Sequence, residues 1–98
     1  MSLPVIVRPQ AEKDIEQVFN ELEQAVPGMG RRFSANLQEV FDRIETMPES
    51  YAVVWGEVRA VRLKHFRYVL YYIPFLDRVE VLAVLHGARD PSTWQSRT

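Results

Sequence analysis

Residues 58–89, VRAVRLKHFRYVLYYIPFLDRVEVLAVLHGAR, decide the fold, because two dense apolar runs stand on either side of a short break. Tyr68 to Ile73 and Val79 to Leu85 are nearly continuous in Val, Leu, Ile and Tyr. Runs of this kind suit central strands covered on both faces. Between them Pro74, Phe75, Leu76 and Asp77 break the pattern as a hairpin loop does, so the two strands pair antiparallel. Upstream, Val58 to Leu63 predicts a further strand that turns near Lys64-His65 into Phe66 to Ile73. On a regular strand Arg59, Val61 and Leu63 share one face, and Val58, Ala60 and Arg62 share the other.

Working outward, Val5-Ile6-Val7 is a short apolar run stopped by Pro9, which places it at or near a sheet edge. From Gln10 the period changes. Ala11, Ile15, Val18, Phe19, Leu22 and Val26 recur at steps of three and four, the mark of an amphipathic helix. Acidic residues near its start complement the helix dipole, and Pro27-Gly28 ends it. Phe33, Leu37, Val40, Phe41 and Ile44 form the stripe of a second helix, closed by Met47-Pro48. The short connection makes the pair an antiparallel hairpin. Arg31 and Arg32 oppose the positive end of that second helix, so they either precede it or face a partner.

Pro48 to Gly56 reads as a connector, with Tyr51 and Trp55 as lids on the core. At the end of the chain, Ser92 either caps a short helical turn or belongs to a loose tail. The expected fold class is therefore α+β: a short N-terminal strand and an antiparallel helical hairpin packed on one face of a small, four-stranded antiparallel sheet. One pair of helices covers one face only. Tyr68 to Tyr72 offer apolar surface to both, so a partly exposed sheet face flanked by arginines predicts a partner-binding groove.

With 98 residues the chain forms one domain, residues 1–98, large enough to bury a core without staples. It has no cysteine, no apparent targeting segment and no stretch long and apolar enough to span a membrane, so a cytoplasmic protein without membrane contact is expected. Two scattered histidines make no metal-ligand spacing, and the dispersed glycines make no phosphate loop, so neither metal nor cofactor is expected. The formal net charge of −1 argues against a dedicated nucleic-acid binder. The charge is nonetheless uneven. Arg59, Arg62, Lys64 and Arg67, with His65, fall together without an acid between them, a local field that attracts phosphates or an acidic partner.

Pro9-x-Ala11-x-x-Asp14-Ile15 opening the helical hairpin, Phe66-Arg67-Tyr68-Val69-Leu70-Tyr71-Tyr72, and Val81 to Leu85 followed by His86-Gly87-Ala88-Arg89-Asp90-Pro91 together resemble the RelE/ParE superfamily of toxins from type II toxin–antitoxin, or plasmid stabilisation, modules. The resemblance covers nearly the whole chain. It implies a cognate antitoxin, and it implies one of two activities. ParE-like members bind and poison DNA gyrase, whereas RelE-like members cleave messenger RNA in the ribosome. For cleavage the candidates are His86, Arg89, Arg67, Arg62 and Lys64, residue types that can supply a base, an acid and cationic stabilisation of a phosphorane. For partner binding they are Arg59, Arg62, Arg67, Tyr71, Tyr72 and Arg89.

Charge arbitrates between the branches. Affinity for the ribosomal A site profits from strong positive charge, and Lys13 and Lys64 are the chain's only lysines. The long hairpin and the His-Gly-Ala-Arg-Asp ending resemble the ParE-like branch, although Arg67 stands where the family commonly has proline. The first reading is thus a ParE-like toxin acting by binding. The alternatives are a metal-independent, ribosome-dependent endoribonuclease and a diverged, non-toxic homologue that keeps only antitoxin binding or homodimerisation.

Overall fold

Beginning at the N-terminus, a computed structural model, which describes residues 2–98, places β1 at Val5–Val7 and the helical hairpin at Pro9–Ala25 (α1) and Met29–Thr46 (α2). The strands β2 (Val53–Trp55), β3 (Val58–Arg62), β4 (Tyr68–Pro74) and β5 (Val79–His86) follow, then a single helical turn, α3 (Ser92–Gln95). The sheet order is β1-β5-β4-β3-β2. Strands β2 to β5 form an antiparallel meander, with Arg59 opposite Tyr72 and Tyr68 opposite His86. Strand β1 pairs parallel to β5, Val5 opposite Val79 and Val7 opposite Val81. The fold is α+β as expected, but the sheet has five strands and is mixed rather than purely antiparallel. The long excursion through the helical hairpin is what permits a parallel return. The additional strand is β2, which lies within the segment expected to be a connector; Gly56, at φ +56°, lets a tight turn join Trp55 to Val58.

Strand alternation distributes the core between two faces. Val61, Leu63, Leu70, Tyr72, Val79, Val81 and Val84 pack with Phe33, Leu37, Val40 and Ile44 of α2 and Ala11 and Val18 of α1. Val58, Val69, Tyr71, Ile73, Leu82, Ala83 and Leu85 form the second face. Leu82 and Ala83 lie on the same side because the register of β5 against β4 shifts there, a bulge that lets both neighbouring residues face one way. Trp94 closes the second face, 5% exposed, with its indole stacked 4.4 Å from the Tyr71 ring and edge-on to Trp55. The tail is therefore a lid, not loose chain, and the sheet face expected to lie open is covered. Exposed apolar surface remains at the β2 edge, where Val53, Val54 and Trp55 are each about half exposed.

Two ties fix the ends. Beyond Val81, where β1 stops, the Asp14 carboxylate accepts the Val84 N–H at 3.1 Å, and the Arg97 guanidinium donates to Leu82 C=O at 3.0 Å and to Asp14 at 2.6 Å. Those backbone groups would otherwise lack partners on the open side of the strand. At the hairpin, Gly28 adopts φ +91° and α2 starts with no side-chain cap of its own. Glu23 of α1 supplies one, its Oε1 accepting from Gly28 N–H at 3.0 Å and Gly30 N–H at 2.8 Å. This places an anion at the positive end of α2, which is how Arg31 and Arg32 are accommodated inside its first turn. Val26, expected on the α1 stripe, lies beyond the end of the helix and is half exposed. Glu23→Ala is expected to cost about 1–2 kcal/mol, the range for a lost N-cap, read as a shifted midpoint in urea denaturation.

Among the described residues, no helix is long and apolar enough to cross a membrane.

Candidate partner-binding surface

Because β3, β4 and β5 run antiparallel, the end of β3, the start of β4 and the end of β5 meet at one end of the sheet. Arg62 pairs with Val69, and Gly87 N–H donates to Arg67 C=O at 2.8 Å, so Arg62, Lys64, Arg67, His86 and Arg89 are gathered there from positions far apart in sequence. All five are exposed. His65, in the β3–β4 turn, takes the left-handed conformation at φ +65°, which aims that turn back along the sheet. Like charges at one end of a near-neutral protein give a local positive field.

His86 is engaged within its own turn. Its Nδ1 accepts the Ala88 N–H at 3.0 Å, its carbonyl accepts the Arg89 N–H at 2.9 Å, and its ring stands edge-on to Tyr68 at 5.8 Å. Beside it lies a cleft of about 230 Å³ lined by Tyr68, Arg89 and the α1 residues Asp14, Gln17 and Glu21. Burial, and after it the Glu21 carboxylate, raises the Tyr68 phenol above its usual range. Among the described residues, no side-chain hydrogen bond or ion pair joins His86, Arg89, Arg67, Arg62 and Lys64 to one another, and no three His, Cys, Asp or Glu side chains converge as metal ligands.

Three residues proposed for partner binding have structural employment instead. Tyr72 is fully buried under the helices, its hydroxyl donates to Pro48 C=O at 2.6 Å, and burial pushes its phenol up to about 12. Tyr71 is 8% exposed beneath Trp94. The Arg59 guanidinium donates to the carbonyls of Tyr51 at 2.6 Å and Glu49 at 3.2 Å, tying down the connector after α2. Strand alternation sends neighbouring tyrosines to opposite faces, and each face has its own cover. Arg62, Arg67 and Arg89 remain as exposed members of that set.

The Asp14–Arg97 tie was not anticipated. A signal for it existed: Asp14 sits within the Ala11, Ile15, Val18 stripe, and a carboxylate on a core-facing stripe requires a partner.

Residues 5–91 match the family described as ParE toxin of type II toxin-antitoxin system, parDE, which is most of the chain. The chain belongs to the ParE toxin family. Toxin ParE2 of Mycobacterium tuberculosis, from strains CDC 1551 / Oshkosh and ATCC 25618 / H37Rv, is 28% identical to it over 82 residues, spanning 83% of this chain and 78% of that protein. Among solved structures, the chromosomal ParDE TA system from P. aeruginosa superposes with a TM-score of 0.74 at 10% identity, covering 87% of this chain and 96% of that one. At that identity the likeness speaks for the fold. Membership makes this ParE-family chain the toxin of a type II toxin–antitoxin module and implies a cognate antitoxin as its partner. The family match runs through the helical hairpin, the whole meander and the His86–Arg89 turn.

Proposed function

We propose that this ParE-family toxin arrests growth by binding a target protein, DNA gyrase, through the cationic end of its sheet, and that its cognate antitoxin neutralises it. The use made of His86 carries the reading. The Nδ1 lone pair is held by the Ala88 N–H within the turn, so it is not offered to a ribose hydroxyl as a base. Arg62, Arg67 and Arg89 are exposed cations, suited to carboxylates on a partner surface and to electrostatic steering of association.

Purified toxin added to gyrase supercoiling reactions and, in parallel, to translating ribosomes carrying a defined messenger tests this. Supercoiling is expected to be inhibited, and inhibition to be relieved by the antitoxin. The double variant Arg67→Glu/Arg89→Glu is expected to need at least ~10-fold more toxin for the same inhibition, since like charges across an interface cost several kcal/mol. His86→Ala is expected to fold and to inhibit within about twofold of the parent, a surface substitution changing stability by about 0.5 kcal/mol or less. Ribosome-dependent cleavage that disappears in His86→Ala would overturn the proposal in favour of the endoribonuclease. Silence in both assays, with no growth arrest, would overturn it in favour of a non-toxic homologue.

A further inference from the structure

Strand β2 is an outer strand of the sheet, at the opposite edge from β1. The β1 edge is guarded. Pro4 and Pro9 bracket it, Leu3 N–H donates to Glu45 C=O at 2.8 Å, and the Arg8 guanidinium is tied to Glu80 at 2.9 Å and to Arg97 C=O at 2.6 Å. The β2 edge has no such device. From Tyr51 to Gly56 the chain carries neither charge nor proline, and Val53, Val54 and Trp55 are each about half exposed. Among the described residues, the other exposed large apolar side chains, Ile6, Val26, Met47 and Leu76, come singly in the sequence. An apolar strand edge left open in this way is a template for the addition of another strand.

The hydrogen-bond pattern fixes which groups are on offer. Val53 stands opposite Arg59, and the neighbouring Ala60 N–H donates to Ala52 C=O at 3.2 Å. Hydrogen-bonded and non-hydrogen-bonded pairs alternate along an antiparallel ladder, so the N–H and C=O of Val53 both point away from β3, over the open edge. A residue that offers one donor and one acceptor outward is its own complement. A two-fold axis at Val53 sets it against its counterpart in a second copy, with two reciprocal hydrogen bonds and with Val54 opposite Ala52. We infer that two copies of the toxin associate through β2, joining their sheets edge to edge into ten strands. Antiparallel addition keeps both helical hairpins on one side of the joint sheet. It also sends the two cationic ends, which lie at the far end of β3 from the Gly56 turn, in opposite directions. Like charges are thereby kept apart, and both target-facing surfaces stay open. The contact is small. Three half-exposed side chains amount to on the order of 300 Å² per copy, short of the ~800 Å² per partner of a standard interface, and the register shift between Val53 and Trp55 keeps the shared ladder short. The dimer is therefore reversible and forms at high concentration.

Sedimentation velocity of the purified toxin over a range of concentrations tests this. The mass is expected to rise from one chain near ~1 µM toward two by about 0.5 mM, the weak range that suits so small a contact. Val53→Lys sets two ammonium groups face to face across the axis and is expected to weaken association at least ~10-fold. Leu76→Lys, an exposed position in the β4–β5 loop, serves as the control and is expected to associate as the parent does. Register is read separately. The chain has no cysteine, and residues directly opposed in a hydrogen-bonded pair have Cα atoms about 5.5 Å apart, within disulfide range. Val53→Cys is therefore expected to form a covalent dimer under mild oxidation, and Ile6→Cys, on the guarded edge, to stay uncrosslinked over the same time. Circular dichroism establishes that each variant is folded. A parent that remains a single chain at every concentration would overturn the inference, as would a dimer that Val53→Lys leaves intact or equal cross-linking at Ile6→Cys. A monomeric parent whose affinity for the purified antitoxin falls in Val53→Lys would overturn the choice of a second copy in favour of an antitoxin strand.

Discussion

Trp94→Ala is expected to lower folding stability by about 3–5 kcal/mol, the range for truncating a buried large aromatic. Trp94 is 5% exposed, lies flat on Tyr71 at 4.4 Å and meets Trp55 edge-on at 6.1 Å. Its removal exposes Tyr71 to water and opens the sheet face that α1 and α2 do not reach. In a domain of this size the loss corresponds to a fall of roughly 15–30 °C in melting temperature, enough to bring a marginally stable protein near its threshold. Thermal unfolding followed by circular dichroism checks it. Trp94→Phe is expected to recover much of the loss, since a ring still stacks on Tyr71. A change below about 1 kcal/mol in Trp94→Ala would mean that the second face does not depend on this lid, because buried aromatics truncated without effect fall outside the usual range.

Asp14→Ala is expected to be comparably damaging, at about 3–5 kcal/mol, for a different reason. The Asp14 and Arg97 side chains are 12% and 14% exposed, so removing the carboxylate leaves a largely desolvated guanidinium without its counter-ion. It also strips the Val84 N–H of its acceptor. Replacing both residues with apolar ones of similar shape avoids the stranded charge. The double variant Asp14→Leu/Arg97→Met is therefore expected to be more stable than Asp14→Ala alone, with a coupling of about 0.5–3 kcal/mol in a double-mutant cycle by urea denaturation. Strict additivity of the two single changes would mean that the pair does not act as a unit.

These two residues also mark where the sequence was hardest to read. The long apolar runs at 68–73 and 79–85 and the Phe33, Leu37, Val40, Ile44 spacing carry strong periods, and the structure has the strands and helices in those places. Trp94 sits in a tail too short to show any period, so its stacking on Tyr71 depends on where the chain returns in space. Strand β2 left a usable signal in Gly56-Glu57, a two-residue turn of the kind that joins hairpins, although the strand's three residues are too few to alternate visibly. The parallel pairing of β1 with β5 spans more than seventy residues and is set by the helical hairpin between them, beyond the reach of local pattern.

The candidate site was legible in part. Counting cations located the β3–β4 turn, and the antiparallel meander brought His86 and Arg89 to it. Burial was harder to foresee: Arg59 looks like its neighbour Arg62 in sequence, yet one clamps two backbone carbonyls and the other is exposed. The Nδ1 bond of His86 depends on the shape of the turn and on no spacing that a sequence displays.

The most direct test of the central claim, a toxin that acts by binding rather than by cutting RNA, is pulse labelling of DNA and protein synthesis in the minutes after induced expression, with and without the antitoxin. Early arrest of DNA synthesis, relieved by the antitoxin while translation continues, is the predicted result. Early arrest of translation with DNA synthesis intact would contradict it, and would return His86, Arg89, Arg67, Arg62 and Lys64 to consideration as catalytic groups.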